Sequence, residues 1–348
     1  MGEGRAPRLK DVADAAGVHV STASRALNEQ TAALVNPETT ERVRQAAHAL
    51  GYRINGMARA LKTRRSLAIG MLVPDITNPF FPPIVRGAED AFAAAGYSLV
   101  LANTDNDRDK ARRQVAAMLE TRVDGLLLAT ALRRDELVDE LVQDGIPVAL
   151  VNRTIDGDGV SAVVPDDHLG VALAVEHLAG LGHRRIAYLG GPLDTSNGAR
   201  RRASFDQAVG KLGPGQARDL AVAVEMAGFN EAEGRRGAAA LLDVPAGERP
   251  TAIMAGNDLM ALGVLDAAAE RGLACPRDLS VVGFNDMPLA DRMRPPLTTV
   301  RVAEYDLGHQ AAKLLLAAIE DPLRPPETVL LAPQLVVRGS TGRAPFTS

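Results

Sequence analysis

The sequence predicts an all-α helix-turn-helix head followed by a two-lobed α/β body, and three observations carry that prediction. The stretch LKDVADAAGVHVSTASRALN at residues 9–28 has the pattern of two short amphipathic helices joined by a tight turn. Charge is unevenly divided. The 348 residues sum to −4, yet residues 1–65 hold eleven Lys or Arg against six Asp or Glu, a balance of +5 that leaves −9 for the remaining 283. A basic head on an acidic body is the distribution that steers a chain onto a polyanion. From Ser66 onward, apolar runs of strand length alternate with longer amphipathic segments, and the alternation occurs twice.

In the first helix Leu9, Val12, Ala13 and Ala16 fall at i, i+3, i+4 and i+7, one apolar stripe. Gly17 ends it, because glycine enters a left-handed turn without steric cost. The second helix sets Ala23, Ala26 and Leu27 on one side and Ser21, Ser24, Arg25 and Asn28 on the other. A merely solvated face is usually laced with Glu and Lys; Ser, Asn and Arg suit phosphate and base-edge hydrogen bonds. A polar loop runs to Val35. Asn36 then caps a third helix with Pro37 in its first turn, and Val43, Ala46, Ala47 and Leu50 form its stripe up to Gly51. The head therefore covers residues 1–52. Residues 53–65 read as a basic linker able to become helical, with Asn55 as a candidate cap and Leu61 as its largest apolar side chain.

In the body, LAIGMLV, YSLVLA, GLLLA, IPVALV and VSAVV read as strands, with helices near 84–95, 110–121 and 135–144 between them. A second series follows: a helix from Asp166 to Leu181, RRIAYLGG, a helix near 201–211, LAVAV, a helix near 230–242, AIMA, a helix near 259–271, and LSVVGF. Strands buried on both faces with intervening helices imply parallel sheets. PPLTTV, a helix over 304–319 and VLLAPQLVVR are too short for a third lobe and complete the two sheets. The expected division is 66–164 plus about 296–325 for the first lobe, 165–295 plus about 326–340 for the second, and 341–348 as a tail.

Composition narrows the classes. With 46% hydrophobic residues each lobe can bury a core. Cys275 is the single cysteine, so no intrachain disulfide forms, a reducing compartment is expected, and the thiol reads as a small apolar side chain. No run approaches the roughly 18–20 apolar residues of a membrane span, and the N-terminus has no apolar core of a leader. A cytoplasmic location is expected.

Ordered motifs then identify a resemblance. LKDVADAAGV with STASRALN, ETTERVRQAAHALGYR, ARALKTRR, IGMLVPDITNPFF, DGLLL, LVNR, HLAGLGHRRIAYLGG, NDLMALG, VVGFND, PPLTTVRV and PQLVVRGST occur in this order over nearly the whole chain. The chain thereby resembles the LacI/GalR (lactose-repressor-like) family of bacterial transcription regulators. The resemblance implies a DNA-binding head, a hinge helix and a type I periplasmic-binding-protein-like body with three strands crossing between lobes. It implies base reading by Val20, Ser21 and Arg25, phosphate contacts by Thr22, Ser24 and Asn28, and a minor-groove wedge at Leu61, whose other reading is an ordinary linker leucine. Departures are His19 where a capping Ser is usual, Ile54 where Pro is common, Gly56 in the hinge, and a loop from Asn28 to Val35 about two residues longer.

Ligands of α/β sheets gather beyond the carboxyl ends of strands. There the sequence offers Asp75, Phe81, Asn103 and Asp105, Asn152 and Arg153 in the first series, and Arg201, Phe229, Asn257 with Asp258, and Asn285 with Asp286 in the second. Amides, carboxylates and an Arg fork suit a multiply hydroxylated ligand, with an aromatic face over its C–H side. The same positions also suit strand-end turns and helix caps, and the phenylalanines a core. The resemblance points to Phe81, Asn152, Arg201, Phe229 and Asn285 as effector contacts.

Other apparent sites fail. DNDRDK from Asp105 starts like a calcium loop, but Lys110 stands at its sixth position and Ala116 at its twelfth. Gly190–Gly191 lacks the spaced glycines of a dinucleotide loop, and the six histidines show no metal-ligand spacing. No cofactor is expected. One rival is a transported-sugar receptor, which needs a leader and no basic head; another is an enzyme, for which no nucleophile with a base is found. The expectation is a homodimeric repressor, not an enzyme, with a pseudopalindromic double-stranded operator and a small-molecule effector as partners and no membrane. One short recognition helix reads few base pairs, so two half-sites are needed.

Overall fold

The computed structural model describes residues 7–27, 29–52, 65–212 and 220–345, and the chain divides into two compact units, Met1–Ser66 and Leu67–Ser348. The first unit contains α1 (Leu9–Ala15), α2 (Val20–Leu27), a single turn α3 (Glu29–Ala32) and α4 (Pro37–Ala49). Val12, Ala13, Ala16, Ala23, Ala26, Val43 and Ala47 form its core. With alanine at most of these positions, the helices approach closely. Gly17, at φ +64°, makes the turn into α2. The turn α3 lies in the segment expected to be a polar loop, where the Thr31 hydroxyl donates to the Arg25 carbonyl at 3.0 Å. Asn36 caps α4 as expected, its Oδ1 accepting from Glu38 N at 2.9 Å. Leu50, expected in the α4 stripe, is 40% exposed, and Tyr52 packs against the core instead. The linker expectation, with Leu61, falls at 53–64, outside the described residues.

The first lobe of the body runs β1 (Ala68–Val73), α5 (Phe81–Ala94), β2 (Ser98–Asn103), α6 (Arg108–Glu120), β3 (Gly125–Leu128), α7 (Glu136–Gln143), β4 (Val148–Val151) and β5 (Ser161–Pro165). The second runs α8 (Asp167–Gly180), β6 (Arg185–Gly190), α9 (Ser196–Lys211), β7 (Leu220–Glu225), α10 (Glu231–Leu242), β8 (Ala252–Ala255), α11 (Asp258–Glu270) and β9 (Ser280–Asn285). β10 (Thr298–Arg301), α12 (Glu304–Glu320), β11 (Thr328–Leu331) and β12 (Gln334–Val336) complete the chain. Among the described residues the two sheets have the orders β11-β5-β4-β3-β1-β2 and β12-β10-β9-β8-β6-β7, the same winding used twice. Central strands such as β3, β4, β8 and β9 are buried throughout, which explains their unbroken apolar runs.

The C-terminal segment corrects the expected lobe boundaries. β10, assigned at about 296–325 to the first lobe, pairs with β9 in the second sheet, and β11, assigned at about 326–340 to the second, pairs with β5 in the first. VLLAPQLVVR is thus two strands, broken at Ala332–Pro333, and β12 closes the second sheet antiparallel to β10. The chain passes between lobes after β5, after β10 and after β11, the three crossings that the resemblance implies. Between the last two, α12 returns to the first lobe and lies against α5 so closely that a Cβ at Gly308 would sit 1.8 Å from the Ile84 carbonyl oxygen. No helix among the described residues is long and apolar enough to cross a membrane.

Candidate functional site

On the head, the polar side of α2 presents Ser21 and Arg25, both exposed and one turn apart. Thr22 and Ser24 flank them half-buried. Val20 is half-buried too and packs against the head core. Asn28 lies outside the described residues. His19 performs the capping that its departure from the family pattern put in question. Its carbonyl accepts from Thr22 N and Ala23 N, and its Nδ1 accepts from Ser21 N at 3.3 Å and lies 2.8 Å from Ser21 Oγ. The imidazole stands in for the usual Ser, Thr, Asn or Asp oxygen and fixes the Ser21 hydroxyl as well.

In the body, the carboxyl ends of both sheets open on one cavity of about 470 Å³. The first lobe supplies Asp75, Phe80 and Phe81 after β1, Asp105 after β2, and Asn152 with Arg153 after β4; the second supplies Asn197 and Arg201 from α9, Phe229 after β7, Asn257 after β8, and Asn285 at the end of β9. The lobes also touch beside it. Thr154 N donates to Ser196 Oγ at 2.8 Å, Arg200 donates to Thr154 Oγ1 at 2.8 Å, and Arg133 N donates to the Asp194 carbonyl at 2.8 Å.

Asn152 and Asn285 occupy equivalent strand ends in the two lobes, at φ +66° and +119°. Asparagine tolerates this region far better than a branched residue, so the backbone itself selects it there. Both are buried, and the Oδ1 of each has no partner, as has the Nε of buried Arg153. Buried polar atoms without partners carry a penalty of about 1–3 kcal/mol each that a hydrogen-bonding ligand removes. Arg201 is differently placed. Its Nε donates to Asp167 at 2.7 Å, one terminal nitrogen donates to the Gly256 carbonyl at 2.7 Å, and its guanidinium lies 3.7 Å over the Phe284 ring, with both charged side chains 2% exposed. Burial pushes the Asp167 carboxyl up while the Arg201 charge pulls it back down. Burial draws Arg153 down to about 10, which leaves it charged at neutrality.

Three residues expected on the wall are not there. Asn103 donates to Asp105 at 2.6 Å and accepts from Ile76 N at 2.8 Å, so its amide is engaged in the turn beneath the rim. Asp258 is buried under β10 and accepts from Thr299 Oγ1 at 2.5 Å and Met287 N at 2.7 Å; burial pushes it up to about 7. Asp286, just after β9, is held by Arg301 and Arg338. Phe80 and Asn197 were missed. The doubled phenylalanine of NPFF was the available signal for the first, its ring edge-on to Phe81 at 5.2 Å. For the second, α9 starts five residues before the expected Arg201, capped by Thr195 Oγ1 accepting from Gly198 N at 3.2 Å.

Comparison with known proteins agrees with both halves. Residues 8–55 match the family described as bacterial regulatory proteins, lacI family, and residues 175–341 match the periplasmic binding protein-like domain. The ribose operon repressor of Escherichia coli (strain K12) is 35% identical over 343 residues, covering 95% of this chain and 99% of that protein. The lac repressor dimer bound to operator and the anti-inducer ONPF superposes with a TM-score of 0.83 at 29% identity, covering 97% of this chain and 100% of that one. A LacI family transcriptional regulator from Enterococcus faecium with bound ribose superposes with a TM-score of 0.68 at 30% identity, covering 79% and 99%.

Proposed function

The chain belongs to the LacI family of bacterial regulatory proteins, and we propose that it is a repressor whose hold on operator DNA is set by a sugar or sugar derivative bound between the two lobes. The observation that carries the ligand half is the pair Asn152 and Asn285: equivalent strand ends, one from each lobe, both lining a shared cavity and each holding a buried amide oxygen without a partner. Hydroxyl groups of a polyol satisfy both at once and so couple ligand binding to the spacing of the lobes. Phe81 and Phe229 cover its C–H faces, and Asp75, Arg153, Arg201 and Asn257 complete the contacts.

For DNA, Ser21 and Arg25 read base edges with Val20 beside them, while Thr22, Ser24 and Asn28 hold phosphates. A guanidinium that bonds both acceptors of guanine discriminates by about 1–3 kcal/mol. Two chains related by a twofold axis bring two such helices to a pseudopalindromic site, and Leu61 wedges into its minor groove. The protein works in the cytoplasm by binding and not by catalysis. Footprinting of the full chain on DNA beside its own gene tests this. A symmetric protected site whose occupancy shifts with an added sugar is expected; protection that is absent, or indifferent to every sugar and sugar derivative tried, refutes it.

A further inference from the structure

The charges around the cavity do not cancel evenly. Asp167 is tied to Arg201, and Asp258 is engaged by Thr299 and Met287. On the rim, Asp75 accepts from Thr77 N and Oγ1, and Asp135 accepts from Leu132 N and Leu137 N. Arg153 has no such arrangement. It is 5% exposed, its Nε is unpartnered, and its one hydrogen bond runs from a terminal nitrogen to the Thr130 carbonyl at 3.5 Å, the outer limit for such a bond. Among the described residues no carboxylate lies within ion-pair distance of it. Asp194 is close enough to favour its charged form but is exposed and unbonded to it.

A buried guanidinium without a counter-ion is costly, and a neutral hydroxyl returns only part of what an oxyanion does, because hydrogen bonds between opposite charges are about twice as strong as neutral ones. The neighbours of Arg153 have the opposite need. Asn152 and Asn285 line the same cavity and each hold a buried amide oxygen without a partner, which calls for a hydroxyl donor and repels an acid group placed against it. One ligand satisfies both demands: several hydroxyls at one end and an oxyanion at the other. Resting on the reading of this cavity as the effector site, we propose that the effector is a polyhydroxylated acid, a sugar carboxylate or a sugar phosphate, whose oxyanion pairs with Arg153.

The test uses the full chain and matched probes at constant ionic strength: glucose against glucuronate and gluconate, ribose against ribonate and ribose 5-phosphate, with acetate and inorganic phosphate alone as controls. Calorimetric titration is expected to show at least one sugar acid binding about tenfold or more tighter than its neutral partner, the difference between a charged and a neutral hydrogen bond. The carboxylate and phosphate arms separate the two sources. Arg153→Gln is expected to remove that preference while the unliganded variant melts no lower than the parent, since the buried charge it deletes has no carboxylate within ion-pair distance among the described residues. A neutral sugar binding more tightly than its acids, or an Arg153→Gln variant that melts several degrees lower, overturns the proposal and leaves the effector reading intact. If no acid or neutral sugar in the set binds, both fall together.

Discussion

Replacing Arg201 by Met tests how the cavity floor is built. The change deletes the 2.7 Å bond to Asp167, the 2.7 Å bond to the Gly256 carbonyl and the cation over Phe284, all at 2% exposure. Asp167 is left as a buried carboxylate with no hydrogen-bonded counter-charge, a loss of about 3–5 kcal/mol when one partner of a buried pair is removed. Met fills much of the volume, so cavity formation adds little. The cost depends on pH with a definite sign. Burial already raises Asp167 and the loss of Arg201 raises it further, so the variant regains stability as pH falls and the carboxyl protonates, and is weakest above neutrality. Adding Asp167→Leu to Arg201→Met removes the orphaned charge and is expected to recover about half of the loss or more. The chain has no tryptophan, so urea unfolding is followed by far-UV circular dichroism. A single-variant cost under about 1 kcal/mol, or costs that simply add in the double variant, refutes the claim that the pair acts as one buried unit.

Three further outcomes follow from other parts of the molecule. Arg25→Ala is expected to weaken operator binding by about 1–3 kcal/mol while random DNA is affected less; an unchanged ratio between the two in fluorescence anisotropy removes its base-reading role. His19→Ala deletes the Nδ1 cap of α2 and is expected to cost the head about 0.5–2 kcal/mol, whereas His19→Ser retains most of it; equal melting of all three proteins contradicts the capping role. Glu304, at the crossing into α12, is pushed up to about 8 chiefly by burial and then by Asp258 and Asp286. Its contribution is complete below the ordinary glutamate range near 4.5 and is lost as pH rises through about 8, so the melting temperature of Glu304→Gln should gain on the parent between pH 5 and 9. A constant difference across that range argues against the buried neutral carboxyl.

The layers of the molecule were legible in the sequence because each rests on a local pattern. The i, i+3, i+4 stripe of Leu9–Ala16 and the unbroken run of GLLL need no knowledge of distant residues. Asn152 and Asn285 could be singled out because strand ends in parallel sheets collect ligands, and their positive φ gives a backbone reason for a residue of this type. What failed was long-range. β10 and β11 exchange lobes because each pairs by tertiary choice of neighbour, β10 with the nearby β9 and β11 with β5 more than 100 residues away, which periodicity does not encode. Asn103 and Asp258 look like wall residues by position, and only the turn donors Ile76 N and Met287 N and the Thr299 hydroxyl reveal that their oxygens face inward. The unpaired state of Arg153 could not be read at all from LVNR, since it depends on which carboxylates other residues have already engaged.

Repression by this chain requires a coupling between the cavity ligand and operator DNA. Its most direct test measures the full chain's affinity for a labelled operator duplex with and without a saturating cavity ligand, and its affinity for that ligand with and without the duplex. Coupling is reciprocal, so the account predicts the same factor in both directions, about 5–150-fold. A ligand that binds the cavity yet leaves DNA affinity unchanged would contradict it.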